Sequence, residues 1–237
     1  MIGRLLPPVV LAYHAVATAD EAADPHRLVL DPAKFDSQLR LLRRAGYRFT
    51  TAAALASTDG PPPRGTAVLT FDDGWIDAVT NLLPRLRSLG LPATFYVCPG
   101  WLGGQHPLVA GAAGRLVDRA DVETLARAGM EVASHSMLHR DLRTLSDTDL
   151  EEDLVTSKQL VEDVTGAPCT TIAYPYGLYD PRVEAATMAA GYELGYAWRP
   201  GSWRSWRRSA VPRLPAPPRH GGGRLALKLL GARRSPA

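Results

Sequence analysis

The sequence predicts an α/β protein with a mostly parallel sheet or barrel. Three observations carry this reading. Short apolar, β-branched runs alternate with helical patterns along the 237 residues. The connections are short, and no Asn-Gly or Asp-Gly lies between two alternating runs as a hairpin would need; Asp73-Gly74 leads into helix-like sequence. The residues with chemical potential (His14, Asp72, His135 and Tyr176) fall at predicted strand ends, where such folds collect their chemistry.

Taken in order, Val9 to Tyr13 reads as the first strand, ending at His14, and residues 15–30 as a loop. Asp31-Pro32 supplies an N-cap followed by a proline for the first helical turn. Phe35, Leu39 and Leu42 recur at helical spacing, so a helix is expected over about residues 33–45, closed by Gly46. A short helical piece follows at Thr51 to Ser57, then a proline-rich loop at 60–65. Val68 to Phe71 is a buried strand, Asn81 to Leu89 a helix, Ala93 to Cys98 a strand. Pro99 to Arg115 is glycine-rich and suits a loop beside a substrate or plain disorder. A helix at Asp121 to Ala128, a strand at Met130 to Ser134, and a long helix carrying Leu150, Leu154, Leu160, Val161 and Val164 come next, the last opened by Ser146 with Asp149 at capping-box spacing. Thr170 to Tyr174 is a strand, Asp180-Pro181 opens a further helix, and Tyr192 to Ala197 is the final strand.

Composition bounds the protein. A chain of this length with 46% hydrophobic residues suits one domain with a substantial core. Its two cysteines, Cys98 and Cys169, are far apart and form no CxxC, so neither a disulfide scaffold nor a thiolate zinc knot is indicated. Met1 to Tyr13 is interrupted by Pro7 and Pro8, a poor leader and too short to span a bilayer, so a cytoplasmic protein is expected. Residues 199–237 hold nine arginines, one lysine and no acid, hence +10 against −7 for the rest. We therefore divide the chain into a domain at 1–215 and a basic, flexible tail at 216–237. The tail reads as a solubilising arm or as one drawn to the anionic inner face of a membrane. It has no recognition signature for nucleic acid beyond charge.

Asp72-Asp73-Gly74 directly follows a buried strand. Two adjacent acids there disfavour joint ionisation unless a cation neutralises them or one serves as a base; a strand ending in a polar turn is the plain alternative. His135-Ser136-Met137-Leu138-His139 is a second cluster. In a helical turn two histidines four apart face the same way and can grip one ion. One aspartate with two histidines makes a facial set that leaves room for water and substrate. Tyr174-Pro175-Tyr176-Gly177 is a rigid aromatic turn.

Leu69 to Gly74, His135 to His139 and Tyr174 to Gly177, in this order and spacing, resemble the polysaccharide deacetylase family (carbohydrate esterase family 4, the NodB homology domain) over residues 9–215. Leu11-Ala12-Tyr13-His14 resembles a subgroup that begins with Tyr-His. The resemblance implies a distorted (β/α) barrel of about seven strands and removal of acetyl groups from amino sugars. It implies Asp72 as general base, Asp73, His135 and His139 as ligands of one divalent metal, usually zinc, and the Tyr176 N–H, with Tyr174 and Pro175 around it, at an oxyanion site. The partner so implied is an N-acetylated sugar or oligosaccharide, for which Trp101, Tyr179, Trp198, Trp203 and Trp206 offer stacking faces.

Two positions depart from the family pattern. An arginine often stands two residues before the proline of the Tyr-Pro-Tyr motif; here that residue is Ala173, and Arg213 is the candidate replacement. The late histidine that donates a proton is missing, with none between His139 and His220, so His14 is the candidate donor or its positioner. Other readings are an amidase acting on a non-sugar acylamide, or a non-catalytic protein that binds carbohydrate or a membrane surface. Nucleic-acid binding through the tail ranks last.

Overall fold

The computed structural model describes residues 6–18, 24–58, 60–109, 111–198, 203, 206–216 and 220–232. In chain order the strands are β1 (Val9–Tyr13), β2 (Ala15–Val16), β3 (Val29–Leu30), β4 (Arg48–Thr50), β5 (Thr66–Phe71), β6 (Thr94–Val97), β7 (Glu131–Ser134), β8 (Thr171–Ala173), β9 (Leu194–Ala197), β10 (Val211–Pro212) and β11 (Leu214–Pro215). The helices are α1 (Pro32–Arg44), α2 (Leu83–Leu89), α3 (Arg119–Arg127), α4 (Asp147–Thr165), α5 (Pro181–Ala189) and α6 (Gly222–Ala232).

The main sheet runs β10-β9-β8-β7-β6-β5-β1-β11, and its described pairings are parallel. Its first and last members are one stretch of chain. Val211 pairs with Tyr196 of β9, and Leu214 pairs with Leu11 of β1. The stretch breaks at Arg213, so a sheet of eight strand segments closes as seven staves, the distorted barrel expected. β4 pairs with the first half of β5 and β6 with its second half.

The sequence explains these elements locally. Asp31 caps α1 by accepting from the backbone N–H of Ala33 and Lys34, and Phe35, Leu39 and Leu42 turn inward. Burying each such side chain is worth about 1.5–3 kcal/mol. The full capping box belongs to α3, between Asp118 and Asp121. At α4 the Ser146 hydroxyl accepts from the Asp149 N–H but bonds to the Asp149 carboxylate instead of leaving it for its own backbone. The barrel's lower end is plugged by Glu131, which accepts from the hydroxyls of Thr94 and Thr171 and from the Ala53 N–H.

The last stretch of the 1–215 segment is built into the fold: Arg207 pairs with Glu184, Arg208 donates to the carbonyls of Ala56 and Thr58, and Arg213 is fully buried. Two features differ from expectation. Gly222–Ala232, expected within a flexible tail, is helix α6, with Leu225 buried and the Gly222 N–H donating to Ser37 of α1. Arg199, Arg204, Arg219, Arg233 and Arg234 lie outside the described residues. Trp203 and Trp206 stack on each other, and Trp203 donates to the Pro8 carbonyl below β1. That is the end of the barrel away from the strand tips, so these two rings do not face the site. No described helix is long and apolar enough to cross a membrane.

Asp77 holds β2 to the segment after β5 by accepting from the Val16 N–H at 2.6 Å. It is buried with no cation beside it among the described residues, and burial pushes its carboxyl up to about 7. Between the ordinary carboxylate value and about 7, the unfolded chain releases this proton while the folded chain keeps it. Stability should therefore fall as pH rises through that window, by about 1.4 kcal/mol per pH unit from this group. In urea unfolding across a pH series, the advantage of Asp77→Asn over the wild type should grow from about pH 4 to about pH 7 and then level off. A pH-independent difference would contradict this.

Candidate active site and metal centre

Four strands deliver the site at their carboxyl ends. β1 runs into His14, β5 into Asp72 and Asp73, β7 into His135, and β8 into Tyr174-Pro175-Tyr176. Asp73 and Gly74 both take left-handed backbone, at φ 73° and 77°. This is unusual for a residue with a side chain. It lets two neighbouring carboxylates meet different partners.

Asp72 belongs to Arg213. The guanidinium Nη1 lies 2.6 Å from Asp72 Oδ1 and also donates to Thr70 Oγ1. Both partners are buried, and the guanidinium carbon lies 5.6 Å from the Tyr96 ring centroid. Burial by itself would raise the Asp72 carboxyl. Arg213 and, more weakly, the His135 and His14 imidazoles outweigh it and hold Asp72 below the usual range.

Asp73 belongs to the histidines. Its Oδ1 is 3.5 Å from His135 Nε2 and 3.5 Å from His139 Nε2, and it is buried without a hydrogen-bond donor among the described residues. The other oxygen, Oδ2, faces His106 Nε2 at 3.3 Å, Trp75 Nε1 at 3.3 Å and His14 Nε2 at 3.9 Å. Burial opposes ionisation of Asp73, but the hydrogen bond from His106 and the surrounding imidazoles hold its carboxyl far below the ordinary value.

The two expected histidine ligands do converge, though not on a helix. His135 to His139 is a loop in which Ser136 and His139 have left-handed φ of 65° and 53°. Side chains replace helical hydrogen bonding there. Ser134 Oγ accepts from Ser136 N–H, Ser136 Oγ from His139 N–H, and Asp153 of α4 from Met137 N–H. His135 Nδ1 is 2.7 Å from the Ala173 carbonyl, so it carries the proton and leaves the Nε2 lone pair free. Burial and the neighbouring His135 push the His139 imidazole down to about 4, keeping it neutral near pH 7.

These donors fit a divalent cation. Asp73, His135 and His139 offer three ligand atoms within 4.8 Å of one another. Two are the Nε2 atoms of imidazoles, and the third is a buried carboxylate oxygen that no donor among the described residues satisfies.

The remaining sequence candidates surround this set. His14 is mostly buried, and its ring meets the edge of Trp198. Tyr176 is half-exposed, has a left-handed φ of 56°, and contacts the His139 ring edge-on. Pro175 and Tyr174 lie beneath it, and the Tyr174 hydroxyl donates to the Ser209 carbonyl, away from the opening. Gly177 must lack a side chain, since a Cβ there would come within 2.3 Å of Trp198. Trp101 stacks on His139, whereas Tyr179 packs on Tyr174.

Three residues escaped the sequence reading. His106 and Trp75 hold the outer oxygen of Asp73, and Asp153 anchors the histidine loop. Asp153 left a trace, since it shares the buried stripe of Leu150, Leu154, Ser157 and Val161 on α4. A carboxylate on an apolar helical face is itself a signal. His106 left none, because its glycine-rich surroundings have no periodicity.

Comparison with known proteins places this arrangement. The family model described as polysaccharide deacetylase matches residues 59–195, more than half of the chain. The chain belongs to the polysaccharide deacetylase family. A Bacillus subtilis relative, YxkH, is 24% identical over 196 residues, covering 81% of this chain and 65% of that protein. The poly-beta-1,6-N-acetyl-D-glucosamine N-deacetylase of Escherichia coli K12 is 30% identical over 138 residues, 54% of this chain and 20% of its own. The chain thus spans less than two thirds of either relative. Among solved structures, the Streptococcus pyogenes deacetylase PplD in complex with acetate superposes with a TM-score of 0.80 over 94% of this chain and 98% of that one, at 23% identity. This supports the fold.

The Arg213–Asp72 pair makes a testable contribution to stability. A carboxyl held below its usual value stabilises the fold above that value and loses the contribution as pH falls through the folded one. Arg213→Met leaves Asp72 buried without its cation, which should cost about 3–5 kcal/mol near neutral pH. The deficit should shrink on acidification, once Asp72 is protonated in both states. Denaturant unfolding at neutral and acidic pH checks this; wild-type stability of the variant at pH 7 would contradict it.

Proposed function

We propose that this chain is a metal-dependent hydrolase that removes the acetyl group from an N-acetylated sugar of a glycan or glycoconjugate. One observation carries the proposal: the adjacent carboxylates are divided, Asp72 to a buried arginine and Asp73 to the Nε2 atoms of two histidines. The activity named for the Escherichia coli relative supports the substrate class.

Asp73, His135 and His139 would hold the ion, with zinc suited to this nitrogen and oxygen donor set. A divalent cation there supplies Lewis acidity, which acidifies water and polarises a carbonyl. The chain's own groups do the rest. Asp72, held out of the ligand set by Arg213, takes the proton of the attacking water. The Tyr176 N–H stabilises the negative charge that forms on the acetyl oxygen as water adds to its carbon, an interaction of the kind worth about 3 kcal/mol. His14 lies on the other side of Asp73 and delivers a proton to the departing sugar amine as the C–N bond breaks. The products are acetate and the free amino sugar. Trp101, Tyr176 and Trp198 frame the opening as apolar faces for sugar rings.

Acetate release is the direct test. Zinc-loaded chain should release acetate from N-acetylglucosamine oligomers faster than from small acylamides such as acetanilide; preference for the small amide would overturn the sugar assignment. Asp72→Asn should keep its zinc and lose on the order of 100-fold or more in rate, as expected for a lost general base. Loss of zinc from that variant would place Asp72 in the ligand set and contradict the division of roles. His14→Ala should keep its zinc and lose most of the activity. A wild-type rate would remove His14 from proton transfer.

A further inference from the structure

The segment between β6 and α3 had no assignable pattern, yet it is tied tightly to the turn that carries Asp73. The Val117 N–H donates to the Gly74 carbonyl at 2.8 Å and the Ile76 N–H to the Arg115 carbonyl at 2.9 Å. Within the segment the His106 N–H donates to the Gly114 carbonyl at 2.7 Å. Val109 and Leu116 join Trp75, Ala15 and Val29 in a small apolar cluster separate from the main core. This cluster delivers a buried imidazole. The His106 ring stacks on Trp75, with centroids 4.3 Å apart, and meets Trp101 edge-on.

The tautomer of His106 follows from its contacts. Its Nδ1 accepts from the Leu108 N–H at 3.2 Å, so in the neutral ring the proton sits on Nε2, which lies 3.3 Å from Asp73 Oδ2. A nitrogen that carries a proton has no lone pair to offer an ion. His106 is therefore placed to donate to the ligand, not to become a fourth ligand. With the Trp75 indole N–H on the same oxygen, the carboxylate has one side occupied by donors and the other, Oδ1, turned to His135 and His139.

We infer that His106 is a positioning residue for the metal centre, fixing Asp73 so that it presents Oδ1 alone to the cation. The inference rests on the metal-centre reading above and adds a residue outside the ligand set. It requires a donor at the position of Nε2, not an imidazole as such. Glutamine can place its amide nitrogen there, and the shorter asparagine cannot.

The test is Zn2+ affinity of the full-length, metal-stripped chain, measured by competition with a chromophoric chelator, together with the unfolding temperature of each metal-free variant. His106→Leu should bind Zn2+ about 10–100-fold more weakly, the usual loss when a hydrogen bond to a metal ligand is removed. His106→Gln should recover most of that loss. A merely structural histidine would change the unfolding temperature without this ordering of affinities. Wild-type affinity in His106→Leu, or equal losses in the leucine and glutamine variants, would overturn the inference while leaving the metal centre standing. If leucine prevents folding, His106→Asn takes its place with the same expectation. Failure of the wild-type chain to take up Zn2+ would overturn the metal-centre reading and this inference together.

Discussion

Two ionised carboxylates on consecutive residues, both buried, are the constraint that the rest of the structure answers. Left without partners they would repel each other and resist ionisation in so dry a place. The fold supplies two different remedies. Asp72 receives a full positive charge from Arg213, at 2.6 Å. Asp73 receives imidazoles and an indole donor on one oxygen and keeps the other bare. The backbone turns left-handed at Asp73-Gly74, directly after Asp72, and the two carboxylates meet different partners.

The barrel's closure is part of the same solution. Val211 to Pro215 completes the ring by pairing with β9 on one side of Arg213 and with β1 on the other. The break between the pairings is where the arginine turns inward. A change that disturbs this last stave would therefore be felt both in barrel closure and in the charge on Asp72. The histidine loop shows the opposite economy: no regular structure holds it, and the Ser134, Ser136 and Asp153 side chains take over its backbone donors.

Much of this was legible in the amino-acid sequence. β1, β5, β6, β7, β8 and β9 lie within a residue or two of the apolar runs that announced them, because strands buried on both faces need such runs. The carboxylate pair and the histidine pair were visible as motifs, and the arginine as a lone charge in an apolar stretch. What could not be read depended on distance in space. β4, β10 and β11 are two or three residues long and have no pattern of their own. Helix α6 was hidden by glycine and by charge composition, which suggested a free arm. The rings of His135 and His139 converge through a loop instead of the helical turn their spacing suggested. His106 became visible only when the chain between β6 and α3 was folded back over Trp75.

The central claim is that the carboxylate pair is split between an arginine and a cation. A crystal of the full-length chain grown with Zn2+ and examined by anomalous scattering at the zinc edge tests it most directly. The account predicts one strong site bound by Asp73, His135 and His139, with Asp72 still on Arg213. Zinc held by Asp72, or an ordered site without either histidine, would contradict it.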